Sequence, residues 1–306
     1  MIRVLITGAS GFIGTHCLRR LLAEDCEIHA VNRGGVGEHS DRVRWHAADL
    51  RDSAQATALV VGVRPTHLLH CAWIATPRIY GSSPENFDWL RSGIALALAF
   101  GANGGIRFVG VGSSAEYDPT DVPCVEDETP IRPATVYGNC KAACWLVTQA
   151  AAQRFGFSAA WGRLFLPYGP GDPPQRLVPT VLAALRVGKP VPTTYGTQQR
   201  DFIYAPDAAD FLVRLLLSSE SGAFNVGTGR ATTVRAVIEY LASRCERPDL
   251  PQFGAIAPPP GEPAVLVADM TKVRDRLSWS APTDVPRGLE EILKGAGLEL
   301  PPVASL

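Results

Sequence analysis

Long apolar runs and a charge excess of either sign are both missing from this chain of 306 residues. No apolar stretch approaches the roughly 20 residues of a membrane span, so no membrane-embedded segment is expected. Lysine plus arginine (29) nearly balance aspartate plus glutamate (30), a formal net charge of −1. That balance gives no electrostatic footing for nucleic acid or an anionic membrane. Histidine is scarce: all six lie between His16 and His70, none at a zinc spacing from Cys, Asp or Glu, so no metal site is expected. The cysteines, seven at irregular spacings, read as free thiols in a reducing, cytoplasmic compartment. Cys140 and Cys144 read as small buried apolar side chains. The first strand starts at Ile2, so no signal peptide is expected ahead of it. There is no internal repeat and no low-complexity tract.

What is present suits a globular protein. Hydrophobic residues make up 46% and charged residues 19%, enough to bury one large core or two intimate ones. A β-branched strand over residues 2–6 runs into Thr7-Gly8-Ala9-Ser10-Gly11-Phe12-Ile13-Gly14, and apolar residues then recur at a helical period. Glycines there let a backbone approach a pyrophosphate, and the helix N-terminus offers free N–H groups. Gly8, Ser10, Gly11, Phe12, Ile13 and Gly14 are therefore expected to bind a dinucleotide. A second strand, 27–31, ends in Asn32-Arg33, where an acid would suit the 2′-hydroxyl of NAD and an arginine the 2′-phosphate of NADP. NADP(H) is favoured on Arg33, with NAD(H) the alternative. Asp49, before Leu50, is expected either to take the adenine amino group or to cap the next helix. Cys71 and Ala72, after a strand at 66–70, are expected to pass the cofactor's ribose.

The chemistry is expected around Ser113, Tyr137 and Lys141. Tyr137 and Lys141 are four apart, on one face of a helix. A lysine beside a tyrosine favours the phenolate, so the Tyr137 pKa is expected to fall from about 10 towards neutrality. Such a tyrosine moves protons at a carbonyl or alcohol oxygen, which Ser113 would orient, with Ser114 as fallback. Strands alternating with helices predict an α/β fold, a Rossmann-type doubly wound parallel sheet. Composition shifts after Phe165, at the turn-rich stretch 166–174. A helix is expected over 207–218 with Asp207 as its N-cap, and the tail to Leu306 is proline-rich.

Together these residues resemble the extended short-chain dehydrogenase/reductases, the NAD(P)-dependent epimerase/dehydratase group that acts on nucleotide sugars. The carriers are the Thr7 to Gly14 loop, Asp49-Leu50, Ser113 four before Tyr117, Tyr137-x-x-x-Lys141, Tyr168-Gly169-Pro170, Arg200-Asp201-Phe202, Asn225-Val226-Gly227 and Leu277-Ser278-Trp279. The resemblance implies a dinucleotide-binding domain at 1–165, with 201–226 returning to it. It also implies a smaller α/β C-terminal substrate domain at 166–200 and 227–306. It implies a homodimer through helices near 84–103 and 135–155. Tyr137 matches the acid/base, Lys141 its partner and ribose anchor, and Ser113 the carbonyl-orienting hydroxyl. Leu177 and Val178 match a nucleotide cradle. Arg200 matches a diphosphate-binding arginine, the alternative being an interface ion pair with an aspartate. Trp73 and the 74–80 loop are expected on the substrate side.

Three departures bear on the reaction. Hexose dehydratases of the group carry an acidic pair directly after the active-site hydroxyl; here Ser114-Ala115 stand there and Glu116 falls one position later. Leu166 replaces a substrate-binding Asn. The stretch Pro258-Pro259-Pro260-Gly261-Glu262 lacks a second diphosphate arginine, for which Arg176 or Arg230 could substitute. The expected activity is NADPH-dependent reduction of a nucleotide-linked 4-keto-6-deoxyhexose. The alternatives are an NAD-dependent nucleotide-sugar 4-epimerase and a non-catalytic dinucleotide-binding regulator. The sugar, its stereochemistry and the nucleotide base are not encoded in these motifs.

Overall fold

The computed structural model describes residues 1–37, 40–259 and 261–297; residues 38–39, Pro260 and the tail from 298 to Leu306 lie outside the described residues. The first half runs β1 (Arg3–Thr7), α1 (Phe12–Leu21), β2 (Glu27–Asn32), β3 (Val43–Ala47), α2 (Ser53–Val63), β4 (His67–His70), α3 (Glu85–Ala102), β5 (Arg107–Ser113), α4 (Val136–Phe155) and β6 (Ser158–Leu164). The chain continues as β7 (Leu166–Tyr168), α5 (Leu177–Arg186), β8 (Val191–Thr193), β9 (Gln199–Tyr204), α6 (Ala205–Leu217) and β10 (Gly222–Val226). It ends with β11 (Ala231–Thr233), α7 (Val234–Arg244), β12 (Pro251–Phe253), β13 (Val265–Leu266), α8 (Thr271–Leu277) and α9 (Val285–Gly295).

Seven strands form the central sheet, ordered β10-β6-β5-β4-β1-β2-β3. All pairs are parallel. The α/β doubly wound expectation holds. Period-2 alternation splits β1 between two cores. Val4 and Ile6 pack with Leu18 and Leu21 of α1 and Phe211 and Leu215 of α6. Leu5 packs with Val60 of α2, Phe100 of α3 and Trp145 of α4, where Cys144 is also buried. A third core joins α5, α7 and α9 over β9. The strand order reverses between β1 and β4, which opens a crevice at their C-terminal ends.

Two local expectations are corrected. Asp207 does not cap α6. Tyr204 is the N-cap, and Asp207, inside the first turn, accepts from Thr283 N at 2.9 Å and Thr283 Oγ1 at 3.1 Å. Pro206 fits the first helical turn, where no N–H is missed, and so moves the start upstream. The stretch 166–174 is not all turn, because Leu166–Tyr168 pairs with β9 as a short strand.

Under the C-terminal end of β5 lies a buried polar network. Glu116, with no exposed surface, accepts from Ser113 N at 2.8 Å, Trp161 Nε1 at 2.9 Å and Arg163 Nε at 3.0 Å. Arg163 also donates to Tyr117 Oη at 3.2 Å and Glu126 O at 3.1 Å, and Tyr117 Oη donates to Asn225 Oδ1 at 2.7 Å. Removing one partner of a buried ion pair leaves the other charge stranded. Arg163→Met is therefore expected to lower the unfolding free energy by about 3–5 kcal/mol in urea denaturation. Adding Glu116→Gln should recover part of that loss.

Candidate active site

The first turn after β1 is built for close approach. Gly8 has φ 68°, and a Cβ on it would lie 2.7 Å from Ala72 N. A Cβ on Gly14 would meet Gly8 O at 1.9 Å. Gly11 caps α1 without any side chain, so the first N–H groups of the helix stay open to an anion. Two cavities adjoin this turn, of about 500 Å³ and about 440 Å³, sharing Gly8, Trp73, Ile74 and Ala75 on their walls. Together they form a cradle longer than either, of the shape a dinucleotide needs.

The structure sorts the expected residues between them. Gly11, Phe12, Ile13, Gly14 and Cys71 line the larger cavity with Ser113, Ser114, Tyr137 and Lys141. Leu177 and Arg200 close it from the other side. Ser10, Arg33, Asp49, Leu50 and Ala72 line the smaller one. Val178 joins neither; it is buried in the third core, facing away. No group of three or more His, Cys, Asp or Glu gathers as a metal site among the described residues. No described helix is long and apolar enough to cross a membrane.

Thr135 caps α4, its Oγ1 accepting from Gly138 N at 3.1 Å, and so sets Tyr137 in the first turn and Lys141 in the next. Ser113 ends β5, where its Oγ accepts from Ala115 N at 3.1 Å. Both serines line the cavity, and Ser113 supplies the hydroxyl hydrogen-bonded to the Tyr137 phenol. Lys141 Nζ donates to Val111 O at 2.6 Å and lies 4.1 Å from the Trp73 ring centroid. It is 5.9 Å from the Tyr137 ring centroid. The expected lowering of the tyrosine is corrected. Burial pushes the Tyr137 phenol up above its ordinary value, with the Ser113 hydrogen bond drawing it part of the way back. Burial also holds the Lys141 ammonium down at about 8. A low-dielectric site penalises the charged form of each, and that penalty sets the direction of both shifts.

Other expectations shift too. Asp49 does not cap α2; Asp52 does, accepting from Ala54 N. Asp49 instead pairs with Arg51 at 2.7 Å, a neighbour that sequence reasoning passed over. Arg33 is exposed beside it. Arg200 pairs with Glu262 at 2.8 Å, not with an aspartate. Asp201 instead accepts from Thr228 N, Gly229 N and Ala268 N, locking a turn. Arg176 lines the cavity and pairs with Asp172 at 3.2 Å. Burial pushes the Asp172 carboxyl up to about 6. Arg230 is exposed and is not among the lining residues. Leu166, in the place of the family's Asn, lines the wall. Sequence reasoning also missed Asn86, which has no catalytic motif around it.

Residues 4–227 match the model of the NAD dependent epimerase/dehydratase family. The chain belongs to that family. Its kinship with the extended short-chain dehydrogenase/reductases, expected from the motifs, therefore holds. Among curated relatives, the UDP-glucose 4-epimerase of Rhizobium leguminosarum bv. trifolii is 30% identical over 96% of this chain and 95% of its own length. Among solved structures, the Thermus thermophilus UDP-glucose 4-epimerase in complex with NAD is 25% identical. It has a TM-score of 0.85 and covers 96% of this chain and 98% of its own. MoeE5 in complex with UDP-glucose and NAD is 28% identical with a TM-score of 0.84, covering 96% of this chain and 98% of its own. This epimerase/dehydratase family member is an NAD-dependent type of enzyme acting on nucleotide sugars.

The glycine turn yields a direct test. Gly14→Ala places a methyl against Gly8 O and forces the turn open. NAD affinity by isothermal titration is expected to fall at least about tenfold, or about 1.4 kcal/mol. Gly62→Ala, in open space on α2, should leave it unchanged.

Proposed function

We propose that this chain is an NAD-dependent nucleotide-sugar 4-epimerase acting on a UDP-hexose. The observation that carries the reading is the makeup of the larger cavity. Its described lining brings Ser113, Tyr137 and Lys141 to one wall and includes no aspartate or glutamate. The carboxylate closest in sequence to the active-site hydroxyl, Glu116, is fully engaged below the floor. Loss of water from a hexose calls for a carboxyl group that this wall does not offer. Oxidation and re-reduction at C4 call only for the three residues present. The 4-ketoreductase expected first uses the same three, and the UDP-glucose 4-epimerase relatives favour the epimerase. The non-catalytic regulator reading is set aside with them.

In this reading Tyr137 acts as the phenolate, which the Lys141 ammonium and the positive charge of a bound oxidised nicotinamide would favour over the raised phenol; its Oη takes the proton from the sugar's 4-hydroxyl as the carbon is oxidised and returns it on reduction. Ser113 holds that oxygen in line. Lys141, charged below about 8, stabilises negative charge as it develops on the phenol. Gly8, Gly11 and Gly14 would hold the pyrophosphate of an NAD whose nicotinamide would supply the hydride acceptor and donor. Arg176, Arg200 and the backbone at Leu177 face the nucleotide. NAD replaces the NADP(H) expected from Arg33, a reading supported by the similar solved structures, which are complexes with NAD. The division at 1–165 with 201–226 against 166–200 with 227–306 belongs to the same proposal. So does a homodimer through α3 and α4, on which Phe87, Leu98 and Leu146 are exposed apolar residues.

Incubation with UDP-galactose and NAD should give UDP-glucose with no net change in absorbance of reduced nicotinamide. Tyr137→Phe should cut kcat by at least about 10²-fold, the low end for a general acid–base. Net stoichiometric oxidation of NADPH on a 4-keto sugar, with no epimer formed, would instead point to the ketoreductase.

A further inference from the structure

We propose that Trp73 and Asn86 are positioning residues for the proton-transfer pair: Asn86 holds the Trp73 indole over the Lys141 ammonium and the Tyr80 ring against Tyr137. The inference deepens the epimerase reading and rests on it only for its turnover readout. Asn86 stands in the first turn of α3 with no exposed surface. Its Oδ1 accepts from Trp73 Nε1 at 2.9 Å. Its Nδ2 donates to Tyr80 O at 2.7 Å and Ser83 O at 2.8 Å. One buried amide thus serves an indole N–H with its oxygen and two carbonyls with its nitrogen. Turning the amide over would face donor to donor and acceptor to acceptor, so its orientation is set.

Each arm ends on a catalytic side chain. The indole face stands 4.1 Å from Lys141 Nζ, on which Val111 O also acts at 2.6 Å. The Tyr80 ring meets the Tyr137 ring edge-on, centroids 4.9 Å apart at 84°, and Tyr137 N donates to Gly81 O at 3.1 Å. An ammonium over a desolvated indole is attracted by the ring's negative face. Trp73 therefore stabilises the charged form of Lys141 against burial. The other groups acting on Lys141 are Cys144 on its own helix, Glu116 after β5, and Cys71 and His70 at the end of β4. Of these, Glu116 is already committed to Arg163. Trp73, expected on the substrate side, lines the cavity and turns its ring face to Lys141.

The test needs no substrate. The chain has four lysines, so an [ε-¹³C]lysine NMR titration resolves Lys141, assigned by its loss in Lys141→Met. In the full-length protein its midpoint is expected near about 8. Trp73→Leu should lower that midpoint by about one pH unit, Asn86→Leu by less, and Trp73→Phe, which keeps a ring face, least. Lys189, Lys272 and Lys294 should not move. In turnover, the high-pH limb of kcat for UDP-galactose should move down by the same amount in Trp73→Leu with KM unchanged. An unmoved or raised Lys141 midpoint in Trp73→Leu would overturn the proposal. So would a raised KM with the limb in place, which marks Trp73 as a sugar-stacking platform. If the wild-type protein does not epimerise, the functional reading falls and the NMR titration still decides this one.

Discussion

Glu116 is buried at the foot of the catalytic floor, and its two oxygens hold three donors from three places in the chain. One is the backbone N–H of Ser113, which fixes where the strand stops and where its hydroxyl points. One is the indole of Trp161, which stacks on Trp145 of α4 with ring centroids 5.6 Å apart. The third is Arg163, which ties the floor to Tyr117 and through it to Asn225 in the last strand of the sheet. The interior tolerates this charge because it is paired and its lone pairs are satisfied. Small residues make room for it: a Cβ on Gly112 would fall 2.1 Å from Trp161 Nε1 and 2.5 Å from Glu116 Oε1. A carboxylate so engaged is a structural device, although it sits beside the reacting groups.

The same low dielectric shapes the proton chemistry. Burial pushes the Tyr137 phenol above its ordinary value and draws the Lys141 ammonium down to about 8. A side chain poised this way responds strongly to any charge that enters the cavity. The cationic lining, with Arg78, Arg176 and Arg200 around Lys141, suits a ligand with two phosphates. Arg176 and Arg200 are held by Asp172 and Glu262, which keeps their guanidinium groups aimed rather than loose.

The sheet and its order of elements were legible because the strands are short, β-branched and separated by helix-period runs, as in Ile2 to Leu22. The glycine turn was legible because its spacing has a steric cause that Gly8 and Gly14 show directly. Ser113, Tyr137 and Lys141 meet at one cavity because the start of α4 packs against the end of β5. What sequence could not give was electrostatics and partner choice. Helical spacing places Lys141 near Tyr137, but it does not say that the ammonium turns to Val111 O and Trp73. Arg200 read as a phosphate ligand, yet its partner Glu262 lies far along the chain. Asp49 and Asp207 each read as a helix cap on paper, and the local path of the backbone chose Asp52 and Tyr204 instead. Asn86 carries no signature at all, since a buried amide is recognised by what it touches.

The central claim is that one hydride leaves C4 and returns to C4 with no carbon deprotonated. The most direct measurement is turnover of UDP-[4-²H]galactose in ordinary water, with the product read by NMR. The account predicts UDP-glucose that keeps its deuterium at C4. A product that has lost that label to the medium, or that takes up solvent deuterium at C5 when the reaction is run in heavy water, would contradict it.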